Sequence, residues 1–170
     1  MKTTWNDHFL DLFARCEKRY RDGDTDYEGY YNGADQSLLA SIGYRPREFF
    51  DFIEDYCEEG GPSPSTALLV AAVRRDFFKV VMRGQTAEPV VTHDTIPAKS
   101  EELDGFPYLP RMLAKARGKL RGELDPDLMF GCGGDRDFLD EHGLHPADFL
   151  RQVWSAEDDD AKVAAWIRSQ

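Results

Sequence analysis

The sequence predicts an all-α protein built as two tandem pseudo-repeats of a four-helix unit, packed into one globule. Three observations lead there. Apolar residues recur at three- and four-residue steps in several segments, the spacing of one helix face. Capping residues, Gly and Pro stand where helices start and stop. A shift of one hundred positions brings the second half of the chain onto the first.

From Trp5 to Arg21 the residues Phe9, Leu12, Phe13, Cys16 and Tyr20 form one apolar face, with Asn6 or Asp7 as the expected cap. Asp22 to Gly33 reads as a loop whose tyrosines fold back onto the core, because aromatic area is costly to leave in water. Asp35 is the expected N-cap of a short helix carrying Leu38, Leu39 and Ile42, and Gly43 is placed to end it in the left-handed conformation. Pro46 suits the first turn of a third helix that turns Phe49, Phe50, Ile53 and Cys57 inward. After a turn from Gly60 to Pro64, Ser65 or Thr66 starts a fourth helix to about Val81, with Leu69, Val70, Val73, Phe77 and Val80 as its buried side.

Residues 84–105 carry Thr and Pro with few large apolar side chains, and read as a connector between units 1–83 and 106–170. Val90 to Thr92 has the composition of a short strand, but a lone strand is weak as structure. Beyond the connector the first-half pattern returns. Asp35, Leu39, Gly43, Pro46 and Phe49 fall on Asp135, Leu139, Gly143, Pro146 and Phe149, five identities in fifteen positions where average composition gives about one. Leu12 with Met112, Phe13 with Leu113, Arg15 with Lys115 and Gly33 with Gly133 extend the match. Each unit alone is marginal in core size, so mutual burial is the expected source of stability.

Charge and composition exclude several classes. A formal net charge of −11 argues against broad nucleic-acid binding, which needs Lys and Arg against phosphates. No apolar run approaches the roughly 20 residues of a membrane span. Met-Lys-Thr-Thr-Trp-Asn-Asp-His is too polar to open a secretion signal, so the expectation is a cytoplasmic protein. The odd cysteine count, Cys16, Cys57 and Cys132 with no CxxC pair, disfavours a disulfide framework and a structural zinc site. No metal or cofactor is implied by the histidines, by the acidic run Glu157 to Asp160 or by any Gly-x-Ser-x-Gly, HExxH or dinucleotide fingerprint.

The chemistry-bearing residues cluster in the second half. On a helical wheel the helix opening at Leu109 buries Met112, Leu113, Ala116 and Leu120; Arg111, Lys115 and Lys119 line one edge of that stripe, Arg117 and Arg121 the other. Such residues usually lay their alkyl stems over the core and point the charge at water. The functional alternative is that Arg111, Lys115 and Arg117 converge on an anion near Gly133, Gly134 and Asp135, because a glycine-flanked helix N-terminus presents free N–H groups to negative charge. Asp135 as an N-cap would compete for those donors. Cys132 lies in the same loop, where nearby cations and a helix start are the two usual ways of favouring a thiolate, although free Cys more often serves simply as a small residue that fits a tight loop. At the equivalent position of the first half stands Asn32.

Leu109-Pro110-Arg111, Lys115-Ala116-Arg117, the Cys132-x-x-Asp135 step, Phe138-Leu139, Gly143 and Val163-Ala164-Ala165-Trp166 together resemble an uncharacterised bacterial group, domain-of-unknown-function family 5069, over about Gly105 to Ile167. The resemblance implies a small helical domain with no assigned activity. The chain departs from the pattern by carrying Gly133-Gly134 where the family has Pro-Leu, and Gly118 where it has Ala. The N-terminal half matches poorly, with Asp11, Glu17 and Asn32 at the positions of Arg111, Arg117 and Cys132. Three functions stand open: a binding module for a small acidic ligand, an enzyme using Cys132 as nucleophile, or a protein-binding adaptor with no small ligand.

Overall fold

The computed structural model describes residues 3–170; Met1 and Lys2, which open the stretch read for a secretion signal, lie outside them. The chain divides into two compact units, one ending at Gly84 and one running Gln85–Gln170. It is mostly helical, with eight α-helices and a single two-stranded sheet among the described residues.

The first unit holds α1 (Trp5–Arg21), α2 (Gly33–Ser41), α3 (Pro46–Glu59) and α4 (Pro64–Val80). Thr4, not Asn6 or Asp7, caps α1: its backbone N–H and its hydroxyl both donate to the Asp7 carboxylate, at 2.8 and 2.7 Å. The apolar face of α1 packs on α3, where Phe49 lies edge-on to Phe9 and Phe13 with ring centroids 5.0 and 6.1 Å away. Tyr27 stacks on Phe50 at 5.0 Å, while Tyr30 and Tyr31 are buried, so the loop aromatics do fold inward. Cys57, expected to face in, is only half-buried.

Two elements correct the sequence reading. Helix α2 opens two residues before Asp35: Asn32 is the N-cap, its Oδ1 accepting from the N–H groups of Ala34 and Asp35 at 2.9 and 3.0 Å. Asp35 is instead the third helical residue, and its carboxylate accepts back from Asn32 N–H at 3.0 Å in a reciprocal box. Helix α4 starts after Ser63 and is rotated from the expected stripe. Val70, Val73 and Phe77 are buried as expected, but Ala67, Ala71, Arg74 and Phe78 are buried beside them, and Leu69 and Val80 are left 44% and 70% exposed on the other side of the wheel. Ala67 and Ala71 are both fully buried, positions that a count of large apolar residues overlooks.

The second unit holds β1 (Glu102–Leu103) and β2 (Phe106–Pro107), antiparallel about a turn at Asp104 and Gly105, then α5 (Leu109–Arg121), α6 (Gly133–Glu141), α7 (Pro146–Ala156) and α8 (Asp160–Arg168). Residues 85–105, expected as a connector, are part of this unit. Val91 forms one parallel bridge with Leu124, Val90 and Val91 donate to the Glu123 carbonyl, and Ile96 is buried. Sequence patterning missed this pairing because the partner lies some thirty residues further on. Leu124 is also why Gly118 is glycine: a Cβ there would stand 2.6 Å from Leu124 Cδ2. Helix α5 packs on α7 and α7 on α8, around Met112, Leu113, Phe149, Leu150, Val153 and Val163.

Candidate functional site

The site is built on Asp135, which is 0% exposed. Gly131, at φ +92, turns the chain sharply ahead of α6, and its N–H donates to Asp135 Oδ2 at 2.9 Å. Cys132 follows as the N-cap of α6, so the helix opens at Gly133 and Asp135 is its third residue, not the cap expected from sequence. The shorter lead-in has a physical cause: the carboxylate reaches back over the first turn and is saturated there.

Three other side chains complete it. Lys115, nearly two turns into α5 and only 3% exposed, donates from Nζ to both Asp135 oxygens at 2.9 and 3.0 Å. The same ammonium donates to Cys132 Sγ at 3.1 Å, so its three N–H groups meet three acceptors. Tyr108 donates its hydroxyl to Asp135 Oδ1 at 2.8 Å. A buried charge pair persists only when its remaining hydrogen-bonding capacity is filled, and here it is.

Tyr108 stands at the N-cap of α5 with φ +71, an uncommon left-handed conformation for a residue bearing a Cβ. Burial, and then the neighbouring Asp135 charge, hold its phenol well above the ordinary tyrosine range, so it remains a proton donor to the carboxylate. Gly134 leaves room for it, since a Cβ at that position would meet the Tyr108 oxygen at 3.1 Å. Gly133 faces open space. Cys132 gives the first turn of α6 no side-chain cap, whereas Asn32 caps α2 twice.

Of the residues singled out from sequence, Lys115, Cys132, Gly133, Gly134 and Asp135 come together. The expectation that Lys115 and Lys119 point their charge at water is overturned, for both are buried. Arg111 and Arg117 point elsewhere. Arg111 Nη1 donates to the Pro97 carbonyl at 2.9 Å, and Arg117 pairs with Asp160 while donating to the Glu157 carbonyl. Sequence reasoning missed Tyr108 and also Arg136, whose Nη1 donates to the Gly131 carbonyl at 2.8 Å and braces the loop. Neither has a local signal: a tyrosine before a helix and an arginine in its first turn are ordinary until the fold brings Gly131 and Asp135 to them.

The other thiols differ in kind. Cys16 is buried, and desolvation pushes its thiol up to about 12; burial also raises Cys57, whose surroundings add the negative charge of Glu17 and Glu58. His142 packs against the rings of Phe138 and Phe106, and His145 Nδ1 accepts from Ala147 N–H as the N-cap of α7. Among the described residues no group of three or more His, Cys, Asp or Glu is placed to hold a metal ion, and no helix is long and apolar enough to cross a membrane.

No curated protein and no solved structure matches the chain. Residues 94–170, which contain α5 to α8 and every side chain of the Tyr108, Lys115, Cys132 and Asp135 cluster, match the family described as "Domain of unknown function (DUF5069)".

Proposed function

We propose that the C-terminal unit is a binding module for a small anionic electrophile, with Cys132 as its nucleophile and the first turn of α6 as its anion receptor. One observation carries this reading. Cys132 occupies a helix N-cap without capping, and its sulfur instead accepts from a buried lysine ammonium at 3.1 Å. That contact fixes the sulfur at the start of α6, where the unpaired N–H groups of a helix N-terminus would meet an anionic reagent. Asp135 keeps Lys115 oriented, and Gly133 faces open space at the helix start, while the space beside Gly134 is taken by the Tyr108 hydroxyl. Arg111 and Arg117 fall outside the proposed site because their guanidinium groups are engaged by other partners. In place of three converging cations, the site has one cation and a helix start.

Alkylation of the full chain with iodoacetate and with iodoacetamide, resolved by cysteine, tests it. Cys132 is expected to react faster than the free thiol of glutathione at mildly acidic pH, and to favour the anionic reagent relative to glutathione. Arg117→Ala should leave both rates unchanged. Reaction of Cys132 no faster than glutathione, with no preference for iodoacetate, would remove the proposal.

We also propose that the two units are copies of one four-helix unit offset by one hundred positions. In each, the third residue of a short helix is a buried aspartate paired to a cation of the preceding long helix: Arg15 with Asp35, Lys115 with Asp135. Gly43 and Gly143 both have positive φ, Pro46 and Pro146 both open the next helix, and Phe49 and Phe149 are both fully buried. On this reading the first copy keeps the ion pair and a true cap, and the second has exchanged the cap for a thiol. Cys132→Asn should then cap α6 as Asn32 caps α2, and slow amide exchange in α6 by a factor consistent with about 1 kcal/mol. Faster exchange in that variant would count against the equivalence.

A further inference from the structure

We propose that Cys132 and Lys115 are a modification site, at which oxidation by a hydroperoxide ends in a reversible covalent bond between the cysteine sulfur and the lysine Nζ. The inference rests on the thiol reading of Cys132 and extends it, because the lysine is a contact partner of the sulfur and not merely a distant charge. Two features converge. The lysine nitrogen is held at 3.1 Å from Sγ by two further bonds to a fully buried carboxylate, so the two atoms that would join are already in contact and oriented. Cys132 is also only partly buried, beside a Gly133 that faces open space, which leaves an approach for a small peroxide. Cys16 lacks that access, being 1% exposed.

The chemistry balances in two steps. The sulfur attacks the terminal oxygen of the hydroperoxide; the S–O bond forms, the O–O bond breaks, and the alkoxide leaves as an alcohol after taking the thiol proton. Sulfur loses two electrons and the peroxide gains them, giving a sulfenic acid. Lys115 then passes one ammonium proton to the Asp135 carboxylate, and its free amine attacks sulfur. The S–N bond forms as the S–O bond breaks, and the hydroxyl leaves as water with a second proton from nitrogen. This second step is redox-neutral, as in the condensation of a sulfenic acid with a backbone nitrogen. The ammonium and carboxylate charges disappear together, so no uncompensated charge is left in the buried cluster. The product ties α5 to the start of α6 until a thiol reductant attacks the sulfur.

The full chain treated with a few equivalents of hydrogen peroxide and digested with trypsin provides the test. Expected is a linked species joining the segments of Lys115 and Cys132, lighter than the sum of its parts by two hydrogens, uncleaved after Lys115 and released by dithiothreitol. Lys115→Arg and Cys132→Ser should each abolish it, and the wild-type map decides the matter even if either variant folds poorly. Cys132 that goes on to sulfinic acid, that pairs with another cysteine, or that resists peroxide, without the linked species, overturns the proposal. Fast alkylation with no linkage would sink this inference alone, while alkylation at the rate of glutathione would sink the thiol reading beneath it.

Discussion

Asp35 and Asp135 hold the same place in their helices and both are buried, yet replacing each by asparagine should have very different consequences. In the second unit, Asp135→Asn leaves the Lys115 ammonium, whose side chain is 4% exposed, without a counter-charge. The asparagine amide also places a donor where Lys115, Gly131 N–H and Tyr108 hydroxyl all donate. Removing one partner of a buried ion pair costs about 3–5 kcal/mol, most of it the penalty of the stranded charge. In the first unit, the Arg15 side chain is 45% exposed and keeps a second carboxylate at Asp11, so its charge returns to water when Asp35 is neutralised. Only a partly exposed pair and half of a capping box are lost there, about 1 kcal/mol. The difference, at least about 2 kcal/mol, is about thirtyfold in an opening equilibrium. Amide hydrogen exchange read by mass spectrometry on the full chain separates the two, since peptides from α5 and α6 report one unit and those from α1 and α2 the other. If Asp135→Asn accelerates exchange in its unit no more than Asp35→Asn does in its own, the stranded lysine charge does not set the cost.

Further predictions concern the helix ends and the buried thiol of Cys16. Gly43→Ala meets both a left-handed backbone at φ +76 and Phe78 Cγ 2.7 Å from the new Cβ, whereas Gly143→Ala meets only the backbone penalty at φ +67; thermal denaturation should show the first losing more than the roughly 1–2 kcal/mol expected of the second. Equal losses would mean that Phe78 moves aside freely. Cys16 keeps its proton up to about 12 when folded and releases it near 9.0 when unfolded, so between those values the folded state binds more protons and stability falls as pH rises. Cys16→Ala, which copies Ala116, should make that alkaline loss shallower by up to about 1.4 kcal/mol per pH unit in urea titrations, and an unchanged slope would refute the assignment.

The helices were legible because their signals are local. Apolar steps in α1, α3 and α5, Pro46 and Pro146 at first turns, and Gly43 and Gly143 at ends depend only on neighbours within a turn or two. Caps were less so. Asp35 and Asp135 have the right chemistry for an N-cap, but a carboxylate at the third helical position serves the same N–H groups from inside the helix, and only backbone geometry separates the two.

What the chain determined by itself, then, is its helical class, single helix ends such as Arg21 and Pro46, and the set Arg111, Lys115, Arg117, Cys132, Gly133, Gly134 and Asp135 from which a site would be drawn. Tertiary structure alone decided that Lys115 turns inward while Arg111 and Arg117 are spent on Pro97, Glu157 and Asp160, and that Tyr108 joins from outside the motif. The reason is physical. A charge at the edge of an apolar stripe is satisfied equally well by water or by a buried carboxylate, and which one it meets depends on a residue twenty positions away that periodicity does not see.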